Sequence, residues 1–520
     1  MRSHDDNVGV YEEAGAPIAS RTTPRQRTPP TCPRRRRSST LRIIRHIYEI
    51  LNLANHGTYD ISKQDDTVPR TFHTHFPPDH SPSIVYPISS QGSCNAVVTP
   101  LVLFIDNEWV DAESGKTFET VSPIDGKVIT RVAEGDKADI EKAVAAARRA
   151  VHRKSEWRQL TASARGRLLP RFADLIERDA GTSTLETTDN GMLYVTFNDA
   201  GIAGTVRYAA GLADKVHGDT IPSDFEGFTY TLRQPVGVCG LILPWNGPMS
   251  MFVNKVATAL AAGCTMVVKP AEQTPLTALA LAALLAEAGV PRGVVNVVNG
   301  YGPTAGAALT HHPHAKVSFT GSLEVGKIIQ QAAGASNLKR VTLELGGKSP
   351  LVICDDADLN VAVPYAAEGV FTHQGQVCVA ASRLFVQSKI YDEFVKRAVE
   401  YAKNRKVGNP FTEGNQNGPQ IFGPVQSILK FETLDEVIDR ANDTNYGLAA
   451  GIFTTNVQTA LQFSNLVEAG IVWVNNYFTF EPRIPFGGFK DSGLGRENGL
   501  EGILQYLETK TVNIAVPKLT

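Results

Sequence analysis

One cysteine, Cys378, differs from the others in its surroundings. It lies in FTHQGQVCVAASR, residues 371–383, after a Gly-Gln step and among apolar residues. If a helix opens there, its N-terminal amides lower the thiol pKa and make the sulfur a nucleophile. A free cysteine is more often a packed, inert side chain, and on the cysteine alone that reading prevails. Other residues able to do chemistry follow short apolar runs. After GLIL come Pro244, Trp245 and Asn246, and after MVV come Lys269 and Glu272. VVNVV is followed by a turn with Gly300, Gly302 and Gly306, KVSF by Thr320, Gly321 and Ser322, and VTLEL by Gly346, Gly347 and Lys348. Lys269 and Glu272 put a donor and an acceptor on one loop, as a ribose requires. The glycine turns would let a phosphate approach backbone amides at a helix N-terminus. Neither has GxGxxG spacing, and each serves equally as a tight αβ connection.

Such residues need a scaffold that gathers strand ends. GVCGLIL, CTMVV, VVNVV, KVSF and RVTLEL are short and apolar, as buried parallel strands are, and helical segments alternate with them from Val236. One helix is predicted to begin with Thr274 as N-cap and Pro275 in first position, and to end at Gly289 before Pro291. The repeated β-α-β pattern predicts an α/β fold with a doubly wound sheet, which binds ligands at the carboxyl ends of its strands. Upstream, order is predicted to start near Leu101 with strands in VLFIDNEWV and KTFETVSP. A helix follows, capped by Asp136, with Ile140, Val144, Ala147 and Val151 on one face. Residues 1–100, rich in Arg, Pro and Ser, are predicted to be a disordered tail. Within them, LRIIRHIYEILNL puts Leu41, Ile44, Tyr48 and Leu51 on one helical face. Asp5, Asp6, Glu12 and Glu13 precede it, whereas mitochondrial leaders are poor in acids. The location is therefore read as cytoplasmic, with mitochondrial import the alternative.

The chain of 520 residues suffices for about two or three domains. Its 51 basic and 53 acidic side chains leave a net charge of -2, which argues against nucleic acid as a partner. The absence of a long apolar run argues against a membrane span. Six cysteines at 32, 94, 239, 264, 354 and 378 show neither CxxC nor zinc spacing, so no metal site is expected and a reducing compartment is.

PWN, VVKPAEQTPL, FTGSLEVG, LELGGKSP, GQVCVAASR, IFGPV and PFGGFKDSGLGRENG occur in the order and spacing of the aldehyde dehydrogenase superfamily, which the chain resembles from about Leu101 to its C-terminus. The resemblance implies a hydrolytic, NAD-dependent enzyme that oxidises a small-molecule aldehyde to the carboxylic acid. It implies a Rossmann-like NAD-binding domain (101–212 and 236–343), a second α/β catalytic domain (344–491) and a small β oligomerisation arm (213–235 and 503–520), hence a homodimer or homotetramer. In that family's terms Cys378 is the catalytic thiol and Glu344 the general base. Asn246 and the Cys378 amide form the oxyanion hole, and Lys255 and Glu497 match positions proposed to relay protons. Lys269 and Glu272 match the adenine-ribose contacts, Ser322 the diphosphate contact and Phe422 the nicotinamide side. Trp245, Gly302, Gly306 and Gly321 complete the cofactor set. A carboxylate at Glu272 repels a 2′-phosphate, which favours NAD over NADP.

The chemistry explains these residue types. Thiolate attack on the aldehyde gives a thiohemiacetal whose alkoxide needs fixed donors, each typically worth about 3 kcal/mol. Hydride loss leaves a thioester, and water activated by Glu344 hydrolyses it; an apolar site that raises the carboxyl pKa suits that task. Two competitors remain: a relative that passes the thioester to CoA, and a non-catalytic or structural relative. The chain also departs from the family pattern. His373 stands where members usually have Asn. Gly247 and Asn254 replace aromatic residues of many relatives and, with Val377, Val379, Phe480 and Phe486, predict a wider, less aromatic tunnel with Glu481 and Arg483 near its mouth. The largest departure is at Gln420–Ile421, where GNQNGPQ meets IFGPV directly. Relatives place several dozen residues there, with a helix, strands and a carboxylate resembling a nicotinamide-ribose ligand. A loss of that size exposes apolar faces and rivals the stability of a domain, about 5–15 kcal/mol.

Overall fold

The computed structural model describes residues 83–86, 97–179, 181–196, 199–224, 226–419 and 425–516, with side chains from Leu101 onward. Gln420, Ile421, Phe422 and the island at 41–53 lie outside the described residues. The apolar runs after Val236 are buried on both faces and form five strands: β1 (Val238–Ile242), β2 (Thr265–Lys269), β3 (Val295–Val297), β4 (Ala315–Thr320) and β5 (Val341–Glu344). They pair in parallel in the order β5-β4-β1-β2-β3. Antiparallel strands extend both edges, Leu103–Ile105 and Glu108–Val110 beyond β3 and Gly493–Leu494 beyond β5. Strand order reverses between β1 and β4, so the loops after these two strands flank the crevice where a wound sheet binds ligands.

Alternate side chains of the sheet enter two cores. On one face Cys239, Leu241, Met266 and Val268 pack against α1 (Pro248–Ala262) and α2 (Leu276–Glu287). On the other, Val267, Val317 and Phe319 pack against Ile140, Val144 and Ala147 of the helix Lys137–Val151, with α3 (Ala307–His311) and α4 (Leu323–Ala335). Asp136 caps Lys137–Val151 as expected, accepting from the Ala138 amide at 2.8 Å. Thr274 does not cap α2. Its hydroxyl has no partner, and the Leu276 amide donates instead to Asp189 Oδ2 at 3.0 Å. Glu186 likewise receives the Met249 amide at the start of α1, at 3.1 and 3.2 Å. One buried helix, Gly181–Asn190, thus caps the two helices that follow β1 and β2.

A second wound sheet holds β6 (Pro350–Ile353), β7 (Arg383–Gln387), β8 (Ser427–Phe431), β9 (Ala449–Phe453) and β10 (Ile471–Val474), all parallel, in the order β8-β7-β6-β9-β10. Leu351, Ile353, Leu384 and Val386 face α5 (Leu359–Phe371) and α6 (Tyr391–Lys403). Val352, Phe385 and Ile452 face the helices Leu434–Asn442 and Val457–Leu466. A third sheet pairs Gly227–Pro235 antiparallel with Leu507–Ala515 and with Thr220–Ile221. The expected disordered tail needs one correction: Ser83–Tyr86 pairs antiparallel with Val97–Pro100. These β-branched runs are local, and the composition of a hundred residues masks them.

Candidate active site

Cys378 sits in a turn between the Thr372–Gly375 turn and β7, not at the start of a helix. The expected lowering of its pKa by helix amides therefore gives way to the opposite. Part of the residue is exposed, but its sulfur joins the apolar core beside β6 and β7. Burial first, and the Glu344 carboxylate second, push the thiol up to about 12. The preceding backbone is held in the left-handed region at His373 (φ 48), Gln374 (φ 57) and Gly375 (φ 78). Such strain persists where surrounding contacts determine it, and here they do. His373 Nε2 donates to the Asn246 carbonyl at 2.8 Å. The Gln374 amide, turned with its nitrogen toward His373 Nδ1 at 3.1 Å, accepts from the Gly418 amide at 2.6 Å. Burial pushes the His373 pKa down, so a neutral imidazole can donate from one nitrogen and accept at the other. Beyond the thiol, Tyr477 donates to the Val379 carbonyl at 2.8 Å.

Asn246, just past β1, donates through Nδ2 to the Gln376 carbonyl at 2.7 Å, two residues before the thiol. Glu344 ends β5 and is buried, and its Oε2 has no partner. Burial, reinforced by the charge of Glu497, raises its pKa well above the carboxyl range. Gly487 makes room for it: a Cβ there would stand 2.8 Å from Glu344 Oε1. Lys255, buried on α1, pairs with Glu497 and donates to Ser318 Oγ at 3.1 Å. Asn254, expected in the tunnel wall, donates to Glu497 Oε2 at 3.1 Å. The rings of Trp473, Tyr477, Phe478, Phe480 and Phe486 run in contact with one another. Glu481 and Arg483 pair with each other.

The proposed cofactor residues collect at the carboxyl edge of β1 to β5. Lys269 ends β2, is buried, and donates to Glu272 Oε2 at 3.2 Å; burial pushes its pKa down. Gly302 and Gly306 bound a tight turn before α3, and a Cβ at Gly302 would meet nothing within 4 Å. A Cβ at Gly321 would collide with the Phe319 ring. Ser322 caps α4, accepting from Val325 at 3.3 Å, and its hydroxyl bonds the Glu324 carboxylate, which, after the Glu324 backbone amide, helps hold that pKa down. Trp245 is half-buried between β1 and Asn246. Phe422 lies outside the described residues. Sequence reasoning missed Tyr477 and Gly418, which act on the Cys378 loop from a distance along the chain, Gln374, four residues before the thiol, and Asp189, which caps α2. The Gly487–Gly488 pair in PFGGF was the one local sign of a close approach.

The sequence profile of the aldehyde dehydrogenase family matches residues 109–421 and 420–512, two segments that meet at the join. Aldehyde dehydrogenase 1A1 of Mesocricetus auratus is 51% identical over 474 residues, covering 80% of this chain and 95% of that protein. Because 80% of 520 residues is about 416, several dozen residues of that relative face none here. Aldehyde dehydrogenase 1A1 of Homo sapiens is 50% identical over 474 residues, covering 80% and 95%. The structure of an NAD+ complex of aldehyde dehydrogenase from Bacillus cereus superposes with a TM-score of 0.79 at 39% identity, covering 80% of this chain and 97% of that one.

Proposed function

The chain belongs to the aldehyde dehydrogenase family and is an enzyme that oxidises aldehydes with NAD; from that premise we propose that Cys378 is its nucleophile, Asn246 its oxyanion donor and Glu344 its hydrolytic base. One observation carries the assignment: the Cys378 loop is bonded by the Asn246 amide at Gln376, and its Cys378 carbonyl lies against Gly347, three residues past Glu344. Cys378 attacks the aldehyde carbon: its proton passes to water, the carbon–sulfur bond forms and the carbonyl π pair moves onto oxygen. The developing alkoxide is met by Asn246 Nδ2 and the Cys378 amide. When bound, NAD supplies the hydride acceptor. Glu344 then takes a proton from water as the water oxygen bonds to the thioester carbon, the carbon–sulfur bond breaks, and sulfur leaves with the electron pair.

The residues present fit a dinucleotide. Buried polar atoms without partners mark the edge where it would lie: both amide atoms of Asn299, Thr320 Oγ1 and Glu344 Oε2. Lys269 and Glu272 would hold the adenine ribose, and the turn at Gly302, with Gly321 and Ser322, the phosphates. Phe422 belongs with the nicotinamide by its motif. We further propose an aldehyde with an apolar body that lies along the Phe480 and Phe486 rings. Homo-oligomer assembly is proposed through the third sheet, which exposes Phe228, Leu232 and Ile514. Cytoplasmic residence is proposed because two relatives are named cytosolic. No described helix is long and apolar enough to cross a membrane.

The test uses the purified full-length chain with NAD and a series of aldehydes from acetaldehyde to aryl and long-chain forms. Aldehyde-dependent NADH formation is expected without added CoA, and Cys378→Ala is expected to abolish it. Glu344→Gln is expected to lower steady turnover by about a hundredfold or more. Activity that persists in Cys378→Ala refutes the assignment, and a dependence on CoA moves it to the acylating class.

A further inference from the structure

Glu497 is held from two sides by adjacent residues of one helix. Its Oε1 lies against Lys255 Nζ, and its Oε2 accepts from Asn254 Nδ2 at 3.1 Å. Its backbone is fixed as well, since the Phe486 amide donates to the Glu497 carbonyl at 2.8 Å and the Glu497 amide to the Phe486 carbonyl at 2.7 Å. The next residue after Phe486 is Gly487, which lies directly against Glu344 Oε1. A cavity of about 10 Å³, room for about one water, is lined here by Asn254, Lys255, Ser318, Thr342, Arg496 and Glu497. The charged and titratable groups that face Glu497 are Lys255 on α1, Glu344 on β5, Lys316 on β4, Arg496 on its own segment, Tyr506 before the C-terminal strand, and Cys378.

We propose that Asn254 is a positioning residue for thioester hydrolysis: by holding the second oxygen of Glu497, it fixes that carboxylate where it receives the proton that Glu344 takes from water. The proposal rests on Glu344 being the base. The proton passes from the Glu344 carboxyl to the Glu497 carboxylate, which regenerates the base, and then leaves Glu497 for solvent. Residue type matters at position 254. A neutral amide donates without adding charge, whereas an aspartate would repel Glu497 and a leucine would leave a mostly buried carboxylate oxygen without a partner. Lys255 alone fixes one oxygen and leaves the carboxylate free to turn about it.

Two measurements on Asn254→Leu decide the matter. In a crystal structure of the variant, Glu497 Oε2 is expected to leave its place; a carboxylate unmoved against Lys255 overturns the proposal whether or not the enzyme is active. In rapid mixing with NAD and aldehyde, the first-turnover NADH burst is expected to stay within about twofold of wild type while steady turnover falls about tenfold, less than loss of the base itself costs. Asn254→Gln is expected to restore most of the turnover. Burst and turnover falling together would mean a general structural role, and unchanged turnover would mean no role; both overturn it. A wild-type protein that forms no NADH from aldehyde refutes the reading of the active site instead, and the position of Glu497 in the crystal still decides the role of Asn254.

Discussion

At the scale of single residues, the Glu344 carboxyl raises the proton affinity of the Cys378 thiol, and burial with the charge of Glu497 raises that of Glu344. The thiol, pushed up to about 12, is almost wholly protonated at neutral pH, and the thiolate is the reactive form. Below that value, each pH unit multiplies the thiolate fraction about tenfold. Alkylation of Cys378 by iodoacetamide in the cofactor-free protein, followed by peptide mass, is therefore expected to rise steadily between about pH 7 and 10. Glu344→Gln removes the second cause and is expected to move the curve to lower pH. A plateau below about pH 9 in wild type would mean a thiolate stabilised by something other than these groups. The motif around Cys378 located the sulfur but misjudged its state. Burial is set by β6 and β7 and the repelling charge by β5, and neither is written in the thirteen residues around the thiol.

At the scale of elements, α1 and α2 owe their N-terminal caps to a helix far upstream. Glu186 reaches Met249 across 63 residues, and Asp189 reaches Leu276 across 87. Burial raises Glu186 from its ordinary value of 4.5 to about 7. A carboxyl raised on folding binds its proton more tightly when folded. Its contribution is full below about 4.5 and is lost as pH rises through about 7, a difference on the order of 3 kcal/mol. The melting temperature is thus expected to fall between about pH 5 and 7.5, and to fall less in Glu186→Gln, whose amide still accepts from Met249 without a charge. Equal slopes in the two proteins would show that Glu186 titrates normally. Legibility follows the same division. The wound sheet and its strand ends could be read because apolar runs and the turns after them are local in sequence, and so is the Asp136 cap. Thr274 misled because the true cap of α2 comes from another helix. The left-handed run at His373 and Gln374 was invisible because tertiary contacts hold it.

For the whole molecule, the decisive feature is the join. Its flanks are tied to the body of the second sheet. Arg405 pairs with Glu368 at 2.6 and 3.0 Å, Asn417 donates to the Phe371 carbonyl at 2.7 Å, and Gln426 donates to Ala366 and Ala381 at 2.8 and 3.1 Å. Even so, among the described residues β8 is an edge strand of its sheet, with three of its five residues exposed. Val425, Leu429 and Phe411 are exposed nearby, and α6 fully buries only Phe394. The first sheet, by contrast, is flanked by strands on both sides. Amide hydrogen exchange is therefore expected to run about tenfold faster or more in β8 and α6 than in β1 to β5, through local opening. Uniform protection would show that the second sheet is complete without the intervening residues. One further effect reaches the chemistry. The hydrogen bonds from the Gly418 amide through Gln374 and His373 to the Asn246 carbonyl make a taut line from the join to the residue proposed to meet the alkoxide. A tug at one end is delivered to the other, so a chain spliced to a different length there would slow its first chemical step while the buried sheet around β1 stood undisturbed.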